Sequence, residues 1–174
     1  LKLVKTMKVV KDLNELNKVL INIVKEVVDE VGEKVNQLMR EHVDSDVYRK
    51  GFRTNSYAYG TSQPTYGLRD SITTTDSDIN GNEVSTKIYH DKNKMIFDPD
   101  NFVHSSRYWK DGTTDIRDIL PEIVSFGLSG DLFGSGWWQD ERPYYQNTLK
   151  DLKDKGLLRK WFIEGLKKRG IDVR

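Results

Sequence analysis

The stretch Gly67-Leu68-Arg69-Asp70-Ser71-Ile72 stands between two different hydrophobic rhythms, and the fold depends on how that change is read. Upstream, Leu13, Leu16, Leu20, Ile23, Val24, Val27, Val31, Val35 and Leu38 recur at three- and four-residue steps, the period of one helical stripe. Downstream, Leu68 to Asp76 and Glu83 to His90 are rich in Ile, Thr, Val and Tyr and alternate in character, with Asn80-Gly81 between them as a turn signal. The stretch therefore opens a β-hairpin after a long helix.

Asp12 and Glu15 supply the start of that helix, an acceptor at the N-cap and a carboxylate three residues on. The helix is expected over 12–41, preceded by an extension or strand at 1–11. At 1.5 Å per residue it is about 40 Å long, more than most single-domain helices reach, so part of its stripe is expected on a neighbouring subunit. Residues 43–66 carry Tyr48, Phe52, Tyr57, Tyr59 and Tyr66 without sustained periodicity and read as a long aromatic-bearing loop.

Further out, residues 67–127 form a sheet region with long loops. Pro121 interrupts the apolar run from Asp115 to Phe126, which reads as a helical turn leading into a short strand. Gly127, Gly130, Gly134 and Gly136 make a loop ending in Trp137-Trp138. Pro143 suits the first turn of a helix through about Leu152, and Leu157 to Lys168 forms another, closed by Gly170. Residues 142–170 are thus the C-terminal helices. The whole of 1–174 reads as one α+β domain, a long N-terminal helix packed on a small, mainly antiparallel sheet, with C-terminal helices.

Composition narrows the function classes. The 174 residues carry 28 Lys and Arg against 27 Asp and Glu, so bulk charge gives no reason to expect a general nucleic-acid binder. There is no cysteine, which excludes disulfides, thiolate zinc sites and a cysteine nucleophile. The mean hydropathy of -0.67 implies segments that stay solvated unless a partner covers them. No apolar run approaches the roughly 20 residues that cross a bilayer, and Lys2, Lys5, Lys8 and Lys11 interrupt any leader-like segment. A soluble protein made in the cytoplasm, with no membrane partner, is expected.

Candidate chemistry is sparse. Asp76-Ser77-Asp78-Ile79-Asn80-Gly81 copies the first half of a calcium loop, but the twelfth position, where a bidentate Glu belongs, is Lys87. The glycine loop lacks the Gly-Lys-Ser/Thr ending of a phosphate cradle. His42, His90 and His104 are dispersed and read as surface or packing histidines. Ser71 lies outside any Gly-x-Ser-x-Gly nucleophile elbow and gains nothing from being a serine. No catalytic residue, cofactor site or metal site is expected, and the chain is read as a non-enzyme.

Two features stand above that background. Lys167, Lys168 and Arg169 belong to a lysine-rich C-terminal segment that is either a solvated helix face or a phosphate-facing surface. Trp137, Trp138, Tyr144 and Tyr145 either fold back onto the core or anchor contacts between subunits.

Taken in order, these signals resemble the neck and tail-completion proteins of long-tailed bacteriophages, the minor tail family that includes lambda tail protein Z. The shared pattern is a long N-terminal helix, then Pro64 to Ile72 leading into a sheet, with Gly67, Leu68, Arg69, Ser71 and Ile72 at the motif positions. Phe126-Gly127 and Arg142-Pro143-Tyr144-Tyr145 follow as the aromatic-Gly element and the Arg-Pro-aromatic helix start. The loops at 43–63, 91–114 and 128–141 are longer than the family pattern needs.

The resemblance implies a structural virion protein at the head-to-tail junction, active in tail completion or head-tail joining. Copies would form a homo-oligomeric ring, six being one option, around double-stranded DNA passing through the channel. Other neck and tail proteins would be its partners, and it would be found in the host cytoplasm during assembly. Lys167, Lys168 and Arg169 could then line the channel. Leu68 and Ile72 should be core residues, and Arg69 should pair with a carboxylate. The rival reading is a small nucleic-acid-binding module using the basic C-terminal helices.

Overall fold

A computed structural model describes residues 12–49, 67–95, 116–127 and 141–173. Helix α1 spans Leu13–His42, capped where the sequence indicates: the Asp12 carboxylate accepts the Glu15 amide at 2.8 Å. The chain does not leave the helix at residue 43 as expected. It continues as a π-helical segment, Val43–Tyr48, with the Arg49 amide donating five residues back to the Asp44 carbonyl at 3.0 Å. Val43 and Val47 extend the buried line of Met39 and are wholly enclosed, so packing prolongs the helix through a sequence rich in Asp and Ser. The remainder of the expected loop, like residues 1–11, lies outside the described residues.

The motif stretch is also more helical than its reading suggests. Gly67–Asp70 forms a single helical turn, α2, and the strand begins only at Ile72. Strands β1 (Ile72–Thr74) and β4 (Ile88–His90) pair antiparallel, with Thr73 opposite Tyr89. Strands β2 (Asp78–Asn80) and β3 (Glu83–Ser85) pair antiparallel around Gly81-Asn82, where Gly81 has a φ of 61°. The expected hairpin is therefore present but divided into two short ladders. Thr75 bridges the division, its amide donating to the Lys87 carbonyl at 2.9 Å.

The hairpin lies on α1 because α1 offers it no side chain at Gly32 and a polar clamp one turn later. A Cβ at Gly32 would stand 3.0 Å from Thr74 Cγ2 and 3.1 Å from Thr86 Cγ2. Asn36 Nδ2 donates to Thr74 Oγ1 at 2.9 Å, and Arg40 Nη2 donates to the Ile72 carbonyl at 3.0 Å. At the division, Asp29 Oδ1 accepts the Ser77 amide at 2.7 Å. Burial pushes the Asp29 pKa up, but the Ser77 hydrogen bonds and the nearby Lys25 outweigh it and hold the carboxyl below its ordinary range.

Helix α3 spans Ile116–Phe126 without a break, correcting the expected turn and strand. Pro121 costs one backbone bond and about 3 kcal/mol in a helix interior. Leu120, Ile123 and Val124 are buried on one face, each gaining roughly 2 kcal/mol, so burial outweighs the proline. Gly127, with a φ of 69°, closes the helix and donates its amide to the Ile123 carbonyl at 2.9 Å. Helices α4 (Tyr144–Asp154) and α5 (Leu157–Lys168) start and stop close to the expected places, α4 entered through Pro143.

The hairpin, α4 and α5 all pack against α1. The shared core comprises Met39, Val43, Val47, Leu68, Ile72, Met95, Leu120, Val124 and Tyr144, so Leu68 and Ile72 are core residues as expected. The fold is α+β, with a long N-terminal helix, a small antiparallel sheet set and C-terminal helices. No helix among the described residues is long and apolar enough to cross a membrane.

Candidate functional site

Phe126, Tyr144 and Tyr145, from two separate motif stretches, meet at one cleft of about 240 Å³ between β4, α3 and α4. Its inner wall is His90 and Tyr144, whose rings stand edge to face, 5.8 Å apart at 88°. Its rim is aromatic: Tyr89, Phe126 and Tyr145 line it, with Phe126 54% and Tyr145 44% exposed. Glu122 and Ser125 add polar groups, Ser125 Oγ donating to Gln146 Oε1 at 2.7 Å.

Tyr144 and Tyr145, adjacent in sequence, have different roles. Tyr144 is 1% exposed and belongs to the core, so of the two alternatives for it the structure takes the inward one. Tyr145 faces out. Trp137 and Trp138 lie outside the described residues.

Behind the cleft runs a hydrogen-bonded chain that corrects the dismissal of Ser71. Ser71 is fully buried; its hydroxyl donates to the Leu68 carbonyl at 2.7 Å and lies 2.7 Å from His90 Nδ1. A neutral His90 carries one ring proton shared between Nδ1, 2.7 Å from Ser71 Oγ, and Nε2, 3.0 Å from the Tyr144 hydroxyl, so it donates at one contact and accepts at the other. The Pro121 carbonyl stands 3.2 Å from the same hydroxyl. Burial lowers the His90 pKa to about 4, so the ring is neutral at pH 7. Burial likewise pushes the Tyr144 phenol up.

A serine beside an imidazole is also the geometry of a nucleophile and its base. Here the serine is enclosed and both ring nitrogens are engaged, so the chain ties α2, β4, α3 and α4 together. The sequence offers His90 as a surface or packing histidine and Ser71 as a motif position; the two lie 19 residues apart, and nothing in the linear spacing announces the pair.

The remaining motif positions serve the same junction. Arg69 pairs with carboxylates as expected: Nε donates to Asp70 at 3.0 Å and Nη1 to Asp44 at 3.2 Å. Its backbone amide donates to the Tyr48 hydroxyl, whose pKa burial pushes up to about 12. Arg142 is buried, and its amide donates to the Val124 carbonyl at 3.1 Å, fastening the start of α4 to the end of α3. His42 lies between Asp46 and Asp151, 3.4 and 3.3 Å away.

Two residues of the basic triplet pair with carboxylates of α1. Lys168 Nζ lies 2.6 Å from Glu30, and Arg169 reaches Glu26 at 2.9 Å and Glu30 at 3.1 Å. Hydrogen bonds from Lys168 and then Arg169 lower the Glu30 pKa. These two cations therefore fasten the end of α5 to α1, while Lys167 is exposed. Glu26 and Glu30, one turn apart on α1, were the missed partners; their i,i+4 spacing is the only signal the sequence holds. Among the described residues no group of three His, Asp or Glu could hold a metal ion.

A family model, described as YomN, matches residues 12–168. The chain belongs to the YomN family. This is a phage-associated family, so the phage connection implied by the resemblance stands in that broader form. No curated protein and no solved structure matches the chain. The YomN match begins at the N-cap of α1 and ends at the last residue of α5, so it takes in every element that builds the cleft.

Proposed function

We propose that this YomN-family chain is a structural subunit of the phage neck or head-to-tail junction, acting in tail completion or head-tail joining as a ring around the DNA channel. The observation that carries the reading is the apolar start of α1. Leu13 is 82% exposed, and Leu16 and Leu20 are also exposed, so the stripe of α1 extends beyond the hairpin and α5 that pack on it. Isolated surface leucines are ordinary, but three on successive turns of one helix form a patch that suits a subunit contact.

Family membership and the order of long helix, small sheet and C-terminal helices support the same reading. The protein is then a virion component with no catalytic role, its partners being copies of itself and other neck and tail proteins. Pairing of Lys168 and Arg169 with α1 carboxylates weakens the rival nucleic-acid-binding reading, because charges already neutralised release fewer counterions from DNA. The test is to place a tag on the chain and locate it in phage particles by electron microscopy. Label at the junction of head and tail supports the proposal; particles without the protein would refute it.

A further inference from the structure

An open apolar groove of about 360 Å³ runs beside α1. Its floor is Val28, Val31 and Val35, one wall is Leu158 and Phe162 of α5, and the other includes Ile88 of β4. Leu158 is exposed. The volume is more than twice that of a cavity of about 150 Å³ that holds a benzene ring, so leucine-sized side chains fit it.

The floor of the groove and the exposed tip of α1 belong to the same helix. Val28 to Val35 covers seven residues, about 10 Å of rise, and so does Leu13 to Leu20. A straight helix cannot fold its first turns back onto its own middle. The tip and the groove of one copy thus match in length and chemistry but cannot meet within that copy. Charge matches as well: Arg159 lines the groove, and over residues 12–20 the tip carries Asp12 and Glu15 against Lys18, a net negative charge.

We infer that the Leu13–Leu20 tip of α1 in one copy seats in the Val28–Phe162 groove of the next copy. This rests on the ring-forming reading and specifies its contact. The tip of each subunit meets a different surface on its neighbour, a heterologous contact of the kind that closes into rings.

The absence of cysteine makes a direct test available. Leu16 lies 12 to 19 residues before the groove floor, about 18 Å or more along the helix, too far for a disulfide to the groove of the same copy. The full chain carrying Leu16→Cys and Leu158→Cys is oxidised and run on a denaturing gel, with each single variant alongside. A ladder of linked subunits from the double variant, collapsed by reductant and absent from both single variants, is expected. Leu16→Glu with Leu20→Glu, both at exposed sites, should abolish assembly while leaving the circular dichroism spectrum unchanged.

Several results would overturn the inference. Assemblies of unchanged mass with no ladder would discard this contact but leave the ring reading standing. A chain that stays monomeric would remove both. Dimers from Leu16→Cys alone would mean that tips pair with tips. A thiol at position 158 that resists labelling in a monomer would mean that the chain's own residues fill the groove.

Discussion

His90 Nδ1 lies 2.7 Å from the fully buried Ser71 hydroxyl, and His90 Nε2 lies 3.0 Å from the Tyr144 hydroxyl, so one imidazole joins the motif turn at Ser71 to the start of α4. A ring held this way has a preferred charge state, and its neutrality is linked to stability.

The His90 pKa falls from 6.5 to about 4 on burial, so between those values the unfolded chain binds a proton that the folded chain does not. Stability is full above pH 6.5 and declines as pH falls toward 4, by on the order of 3 kcal/mol. Thermal melts at intervals across pH 4–8 should show that decline, and His90→Gln should flatten it. A melting temperature constant from pH 6.5 to 4.5 would contradict this account. The depressed carboxyls of Asp29, Glu30 and Asp151 act in a separate window, their contributions being lost as pH falls through their lowered pKa values.

Tyr144→Phe keeps the ring but removes the hydroxyl that serves His90, and should cost about 1–3 kcal/mol. Ser71→Ala should cost a similar amount, and the two changes together should cost less than their sum, because both act on one imidazole. Strictly additive losses in chemical denaturation would show that the two contacts are independent.

Gly165 lets α5 approach α1 closely. A Cβ there would fall 2.8 Å from Val27 Cγ1, and Val27 is fully buried. Alanine gains about 1 kcal/mol over glycine in a helix interior, yet overpacking costs about 1–3 kcal/mol. Gly165→Ala should therefore lower the melting temperature, whereas a propensity effect alone would raise it.

Arg169→Glu places a third carboxylate beside Glu26 and Glu30 and should destabilise the fold by about 1 kcal/mol, with Glu30→Lys recovering part of the loss. The penalty should shrink in high salt. If instead Arg169→Glu left the melting temperature unchanged and abolished binding to duplex DNA, the pairing described here would be incidental and the triplet would face nucleic acid.

The sequence made much of this arrangement legible where local chemistry coincides with packing. Asp12, Pro143 and Gly170 mark helix ends by their backbone and capping properties, and the structure uses each of them that way. The expectation failed where burial overrode local preference, at Val43–Tyr48 and around Pro121, because a helix whose residues dock on a core tolerates aspartates and a proline. Val27 of the nine-residue stripe is fully buried against α5, but over the hairpin Gly32, Asn36 and Met39 make the buried face, while Val31 and Val35 floor an open groove. Asn36 escaped notice because a polar residue in a helix reads as solvent-facing until its strand partner is known. The cleft was legible only as separate motifs; what joins them is the His90 chain, which spans 54 residues from His90 to Tyr144.

In the proposed function this chain tiles with copies of itself. Mass measurement of the purified full chain in solution, combined with electron microscopy of the same sample, tests it most directly. A closed ring with an open centre and one repeating contact is expected. A monomer of 20.2 kDa at every concentration, with no ring in any field, would contradict it.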